Sequence, residues 1–235
     1  MSAAVSFPAR DVPGVALEGR LLGPQDGRPC VVSHPHPLAG GTMDHPVVVA
    51  LWEAAAAAGL RALRYNFRGV GASTGTLTRQ SPLAIADLAG AIDFLGGGPV
   101  LAIGYSYGAR ATLHGIHAGL PVERAALAGL PTRTPRNRAA MSNLLLGRRI
   151  PTEEYTPYPD AELAATSPRP VLVLAGDRDP LVEVAAYREQ GVEPWILEGV
   201  NHFFSRRLGN TPPDPPDLDA LCGRAIAFLL ERPIG

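Results

Sequence analysis

Short apolar runs alternate along this chain with longer stretches whose apolar positions recur at helical spacing. The runs predict strands at residues 15–22, 30–33, 61–67, 100–103, 125–130, 170–175 and 194–197. The longer stretches predict helices at 46–58, 81–95, 110–118, 181–190 and 218–231. Gly59 is a stop signal for the first helix, and Ser81-Pro82 offers a cap and a first-turn proline to the second. Strands separated by helices imply an α/β fold, with one mostly parallel sheet covered on both faces.

Two segments break the rhythm. Residues 131–168 lack strong periodicity although they lie between two predicted strands. Their first half carries Arg133, Arg136, Arg138, Arg148 and Arg149, and their second half Glu153, Glu154, Asp160 and Glu162. An excursion of this length inside a compact domain reads as a lid or binding element. The other segment, Thr211-Pro-Pro-Asp-Pro-Pro216, reads as a stiff extended connector into the last helix.

Composition narrows the class. A chain of 235 residues fits one domain, 1–235, with 131–168 as a cap insertion. It is 46% hydrophobic with a formal net charge of −1, which provides no broad basic face for nucleic acid. The longest apolar stretch, 47–60, is interrupted by Glu53 and too short to span a bilayer. Residues 1–14 are polar and proline-broken, without the apolar core of a secretory signal. Cys30 and Cys222 have no metal spacing and read as buried free thiols in a reducing compartment. A cytoplasmic protein with no nucleic-acid or membrane partner is the expectation.

The chemistry centres on Gly104-Tyr-Ser-Tyr-Gly108, where an apolar run passes directly into a helical segment. A tight strand-to-helix turn of this kind pushes a serine hydroxyl out above the sheet, making Ser106 the candidate nucleophile. Strand and helix then pass too closely for a Cβ at Gly104 or Gly108. A serine hydroxyl needs an adjacent base, itself oriented by a third group. Where the nucleophile sits on such a turn, the acid and then the histidine follow it in the chain. Of six histidines, His202 fits that order. His114 and His117 read as surface or packing residues of the helix behind the turn, and His45 as a helix-entry or solvated residue. The acid is sought in Gly176-Asp-Arg-Asp179, at the end of a buried strand. Asp177 and Asp179 are both candidates, Asp179 preferred; helix capping is the bland role for either.

An oxyanion hole requires two backbone N–H groups aimed at the developing charge. One is expected from Tyr107, directly after the nucleophile. The other is expected from the loop 33–41, where Pro35 and Pro37 have no N–H to give. His36 is then the first candidate and Leu38 the second. The His34-x-His36 spacing would also suit a metal, but no carboxylate or cysteine partner is nearby in sequence. Phe203 and Phe204 either line the pocket or pack beneath their loop. Tyr105 reads as a packing residue.

Five motifs occur in order: His34-Pro-His-Pro-Leu-Ala-Gly-Gly-Thr-Met43, Tyr65-Asn-Phe-Arg-Gly-Val-Gly-Ala-Ser73, Gly104-Tyr-Ser-Tyr-Gly108, Gly176-Asp-Arg-Asp179 and His202-Phe-Phe204. In these the chain resembles the small α/β-hydrolases described as serine aminopeptidase-like or dienelactone-hydrolase-related, over most of 15–230. The resemblance implies the α/β-hydrolase fold and a triad of Ser106, Asp179 and His202, choosing the second aspartate of Gly-Asp-x-Asp. It also implies that 66–69 is a structural loop beside the site. Two departures bear on substrate. The 131–168 insertion is longer than in compact members, and a dienelactone hydrolase proper would carry cysteine where Ser106 stands.

The sequence thus predicts a serine hydrolase that cleaves an ester-type bond of a small acyl substrate through an acyl-enzyme. No cofactor and no metal are required; the glycines at 69, 71 and 75 follow a strand but lack a dinucleotide fingerprint. The same triad would serve a thioesterase, or an acyltransferase or cyclase in which a bound acceptor replaces water. A non-catalytic binding protein is disfavoured by the complete triad.

Overall fold

Successive residues of the central strands point to opposite sides of one sheet, and each side has its own core. The computed structural model describes residues 2–77 and 81–231, without the side chains at 38, 81 and 82, so the Ser81 cap lies outside the described residues. The strands are β1 (Ala3–Pro8), β2 (Ala16–Leu22), β3 (Pro29–Ser33), β4 (Arg61–Tyr65), β5 (Val100–Tyr105), β6 (Val122–Ala128), β7 (Arg133–Pro135), β8 (Tyr155–Pro157), β9 (Val171–Gly176) and β10 (Trp195–Leu197). The helices are α1 (Pro46–Ala57), α2 (Ser81–Phe94), α3 (Tyr107–His117), α4 (Arg138–Leu145), α5 (Asp160–Ala165), α6 (Val184–Glu189) and α7 (Pro215–Leu230).

The main sheet has the order β1-β2-β4-β3-β5-β6-β9-β10. β2 runs antiparallel to both of its neighbours, and the remaining pairings are parallel. Val31, Leu63, Ala102 and Val173 face α2 and α3, where Leu88, Ile92 and Leu113 complete one core. Cys30, Val32, Ile103 and Leu174 face α1 and α7, where Leu51, Leu221 and Ala225 complete the other. Apolar runs without polar alternation are what a sheet buried on both faces demands. Cys30 and Cys222 are both buried free thiols of this second core. Among the described residues, no helix is long and apolar enough to cross a membrane.

Several boundaries move. β1 was not foreseen; it is a half-exposed edge strand that buries little beyond Phe7. Residues 131–168, which lack strong periodicity in sequence, hold the β7–β8 antiparallel pair, α4 and α5. α7 begins at Pro215, so the stiff connector stops at Asp214, and Pro215-Pro216 form the first turn where a missing N–H costs nothing. α6 starts at Val184 rather than 181. Before it, Leu181 O accepts N–H bonds from Thr132 and Arg133, and Glu183 N–H donates to Thr132 Oγ1. These tertiary bonds hold 181–183 out of the helix.

Candidate active site

β5 ends at Tyr105 and α3 begins at Tyr107, so the reversal from strand to helix falls on Ser106. Its backbone has φ 54° and ψ −108°, a region unfavourable for any residue with a Cβ. Hydrogen bonds on both sides hold it there: Ser106 N–H donates to Ala128 O (2.8 Å), and Arg110 N–H donates to Ser106 O (3.0 Å). The flanking glycines are required by contact. A Cβ on Gly104 would lie 2.5 Å from Ala109 Cα, and one on Gly108 would lie 2.5 Å from Ser33 C.

Three loops from the same end of the sheet converge on this serine. His202, five residues beyond β10, places Nε2 2.9 Å from Ser106 Oγ. Asp179, three residues beyond β9, places Oδ2 2.7 Å from His202 Nδ1. The other Asp179 oxygen accepts the Leu181 N–H (2.8 Å), which orients the carboxylate. All three side chains are buried. Asp177 turns away and accepts the Gly199 N–H at 2.6 Å, stitching the loop after β9 to the loop after β10. Arg178 N–H adds a second stitch to Val200 O (3.0 Å).

The loop after β3 is braced through His34. Phe67 N–H donates to His34 Nε2 (3.1 Å), while Nδ1 lies 2.6 Å from Pro35 O, a carbonyl that can only accept. The two partners fix a neutral Nδ1–H tautomer, and burial lowers the His34 pKa to about 4. With both nitrogens engaged, His34 cannot join His36 in a metal site. Among the described residues, no group of histidine, cysteine and carboxylate side chains could hold a metal ion. His36 O accepts N–H bonds from Ala39 and Gly41, closing a 3₁₀ turn at Pro37–Ala39, and the His36 ring packs edge-on against Tyr107, 5.0 Å between centroids. The 66–69 loop braces this turn. Asn66 Oδ1 accepts Met43 N–H (2.7 Å), and Arg68 forms a buried pair with Asp87, Nη2 to Oδ1 2.6 Å.

The remaining histidines have structural contacts. His45 Nδ1 accepts Val47 N–H (3.3 Å) at the start of α1, and its pKa is lowered to about 4, chiefly by burial. His114 Nε2 lies 3.0 Å from Asp160 Oδ1, and His117 Nε2 2.9 Å from Leu163 O, tying α3 to α5. The two phenylalanines divide the roles offered to them: Phe203 lines the pocket over Ser106, while Phe204 packs in the core against Tyr105.

That pocket has a volume of about 60 Å³. One wall comes from the site itself: His36, Ser106, Tyr107, His202 and Phe203. Further lining comes from 131–168, through Arg133, Thr134, Met141, Leu144 and Tyr158. Arg110, one helical turn beyond Ser106, also reaches it. Arg110 lies outside the site residues that the sequence predicts, although its four-residue spacing from Ser106 along a helix is a signal for it.

Solved structures share this arrangement of elements. A protein of unknown function from Agrobacterium tumefaciens superposes with TM-score 0.69 at 23% identity, over 97% of this chain and 94% of that one. A serine hydrolase without lid from Xanthomonas campestris superposes with TM-score 0.67 at 23% identity, over 99% and 97% of the two chains. Carboxylesterase CesB from Bacillus subtilis gives TM-score 0.70 at 16% identity, over 98% and 92%. The chain has the α/β-hydrolase fold. In sequence it is 27% identical over 190 residues to an uncharacterized protein of Rickettsia prowazekii, covering 74% of this chain and 71% of that one. No protein-family model matches it.

The α/β-hydrolase fold explains where the three loops meet. From β3 the chain moves to β4 on one side, and from β5 to β6 on the other. The loops leaving β3 and β5 therefore part above the sheet, and the crevice between them is the position where open α/β sheets bind ligands.

Proposed function

We propose that this chain is a serine hydrolase cleaving an ester-type bond through an acyl-enzyme on Ser106. The observation that carries the reading is the unbroken line of contacts from Asp179 Oδ2 to His202 Nδ1 (2.7 Å) and from His202 Nε2 to Ser106 Oγ (2.9 Å). A helix cap or a packing histidine has no need of such a line ending on a strained serine.

In this mechanism His202 Nε2 takes the Ser106 proton as Oγ attacks the ester carbonyl. Backbone N–H groups of Tyr107 and His36 receive the developing oxyanion, and the start of α3 adds its favourable dipole. Asp179 holds the imidazole in the Nδ1–H tautomer and stabilises the imidazolium. His202 gives its proton to the departing alcohol, then takes one from the water that attacks the acyl-enzyme and returns it to Ser106 Oγ as the acid leaves. Carboxylesterase and serine hydrolase structures of the same fold support this assignment.

The test is labelling by a fluorophosphonate probe, read by intact mass, alongside turnover of short 4-nitrophenyl esters. A single adduct lost in Ser106→Ala, with kcat lower by about 10⁴–10⁶ in Ser106→Ala and His202→Ala, is the expected result. Unchanged turnover in Ser106→Ala would remove the proposal.

A further inference from the structure

The charges of the pocket over Ser106 are of one sign. Arg110 and Arg133 line it, and no aspartate or glutamate does. Each guanidinium is fixed from behind. Arg110 Nε donates to Asp160 Oδ2 (2.9 Å), and its guanidinium stacks 3.6 Å over the Tyr158 ring. Arg133 donates through Nε to Pro180 O (2.8 Å), pairs through Nη1 with Glu183, and lies 4.4 Å over Tyr155. Asp160 is fully buried behind the pocket, and Glu183 is half-exposed outside it.

This anchoring leaves donors unspent. Among the described residues, neither Nη of Arg110 nor Nη2 of Arg133 has a hydrogen-bond partner. The two side chains are only 17% and 20% exposed, yet none of these nitrogens is among the buried atoms lacking a partner, so each keeps access to solvent. Two immobilised planar forks with free N–H groups, in a pocket holding no carboxylate, match the geometry and charge of a carboxylate ligand. The pocket is small, about 60 Å³, which suits a carboxylate held only a few carbons from the reacting carbonyl.

Building on the hydrolase reading, we propose that the substrate is a short ester carrying a carboxylate within a few carbons of the scissile carbonyl, received by Arg110 and Arg133. The simplest member of this class is the half-ester of a short dicarboxylic acid.

Monoethyl glutarate and its neutral counterparts, ethyl pentanoate and the ethyl ester of glutaric monoamide, test the proposal by pH-stat titration of released acid. O-acetyl lactate tests the same anion on the alcohol side. The expected result is a kcat/KM for at least one anionic ester about 10–100-fold above the neutral ones. That ratio should collapse in Arg133→Gln and be partly retained in Arg133→Lys. Arg110→Gln should lower it too; because that change strands buried Asp160, the Arg133 pair keeps the test independent of folding. Arg188→Gln, at an exposed arginine paired with Glu193, should leave the ratio unchanged. Equal kcat/KM for charged and neutral esters would overturn the substrate class while leaving the hydrolase intact. A fluorophosphonate adduct with no turnover of any of these esters would do the same. Absence of both adduct and turnover would overturn the hydrolase reading, and this inference with it.

Discussion

The hydroxyl of Tyr105 donates a 2.9 Å hydrogen bond to the backbone carbonyl of His202, joining the residue before Ser106 to the residue whose ring faces that serine. Tyr105 is fully buried, its ring 5.8 Å from the imidazole and 5.3 Å from His45, and burial raises its hydroxyl pKa well above the usual tyrosine value. It is a neutral donor fastening the His202 loop to β5. Tyr105→Phe leaves that carbonyl unsatisfied, which costs about 1–3 kcal/mol. In the proposed mechanism the imidazole is then held less well, and kcat should fall about tenfold with KM little changed. Single-turnover acylation compared with thermal unfolding checks this: a Tm loss without a slower acylation step would make Tyr105 a packing residue only.

The two aspartates after β9 should separate cleanly in kinetics. Asp179→Asn presents an amide to His202 Nδ1 and favours the wrong imidazole tautomer, so turnover should drop by about 10⁴. Asp177→Ala removes the acceptor of the Gly199 N–H, slackening the neighbouring loop, and should cost tenfold or less. Steady-state ester hydrolysis by both variants decides the assignment; a larger loss at Asp177 would reverse it.

The parts of the site that were legible in sequence are those where chemistry restricts the residue type. Gly104 and Gly108 are fixed by close backbone contact, and the prolines at 35 and 37 narrow the N–H donors of their loop. The parts that were not legible depend on contacts distant in sequence. β7 and β8 are each three residues long, too short for a period to register, and they exist because they pair with each other. The late start of α6 depends on Thr132, some fifty residues earlier. Arg133 reads as one of five arginines of 131–168 until the fold brings it to the pocket that Ser106 also lines. Edge strand β1 hides because only one of its faces touches the protein and it ends at Pro8.

His34 predicts a pH dependence of stability. Its folded pKa, about 4, lies below the unfolded value of about 6.5, so the unfolded chain binds the extra proton first. Its contribution is complete above about pH 6.5 and is lost as pH falls toward 4, by about 3 kcal/mol at most. His45 acts in the same direction. Urea unfolding between pH 8 and pH 4.5 should show the midpoint falling across this window. His34→Gln, whose amide can still donate and accept, should flatten the slope. An unchanged slope would assign the effect to other groups.

Gly108 and Gly223 give opposite expectations for the same substitution. A methyl at Gly108 meets backbone: Ser33 C at 2.5 Å and His34 O at 2.8 Å. Neither atom can rotate away, so β3 and α3 must separate, and with β3 goes the loop carrying His36. Gly108→Ala should cost about 1–3 kcal/mol or more. At roughly 2–4 °C per kcal/mol for a chain of this size, Tm should fall by several degrees, and ester turnover should fall with it. At Gly223, inside α7, nothing lies within 4 Å of the added methyl. Gly223→Ala should therefore stabilise by about 0.5–1 kcal/mol through helix propensity, with turnover unchanged. Calorimetry on the two variants separates them. A Gly108→Ala protein as stable and active as the wild type would mean that strand and helix do not approach as closely as the turn at Ser106 requires.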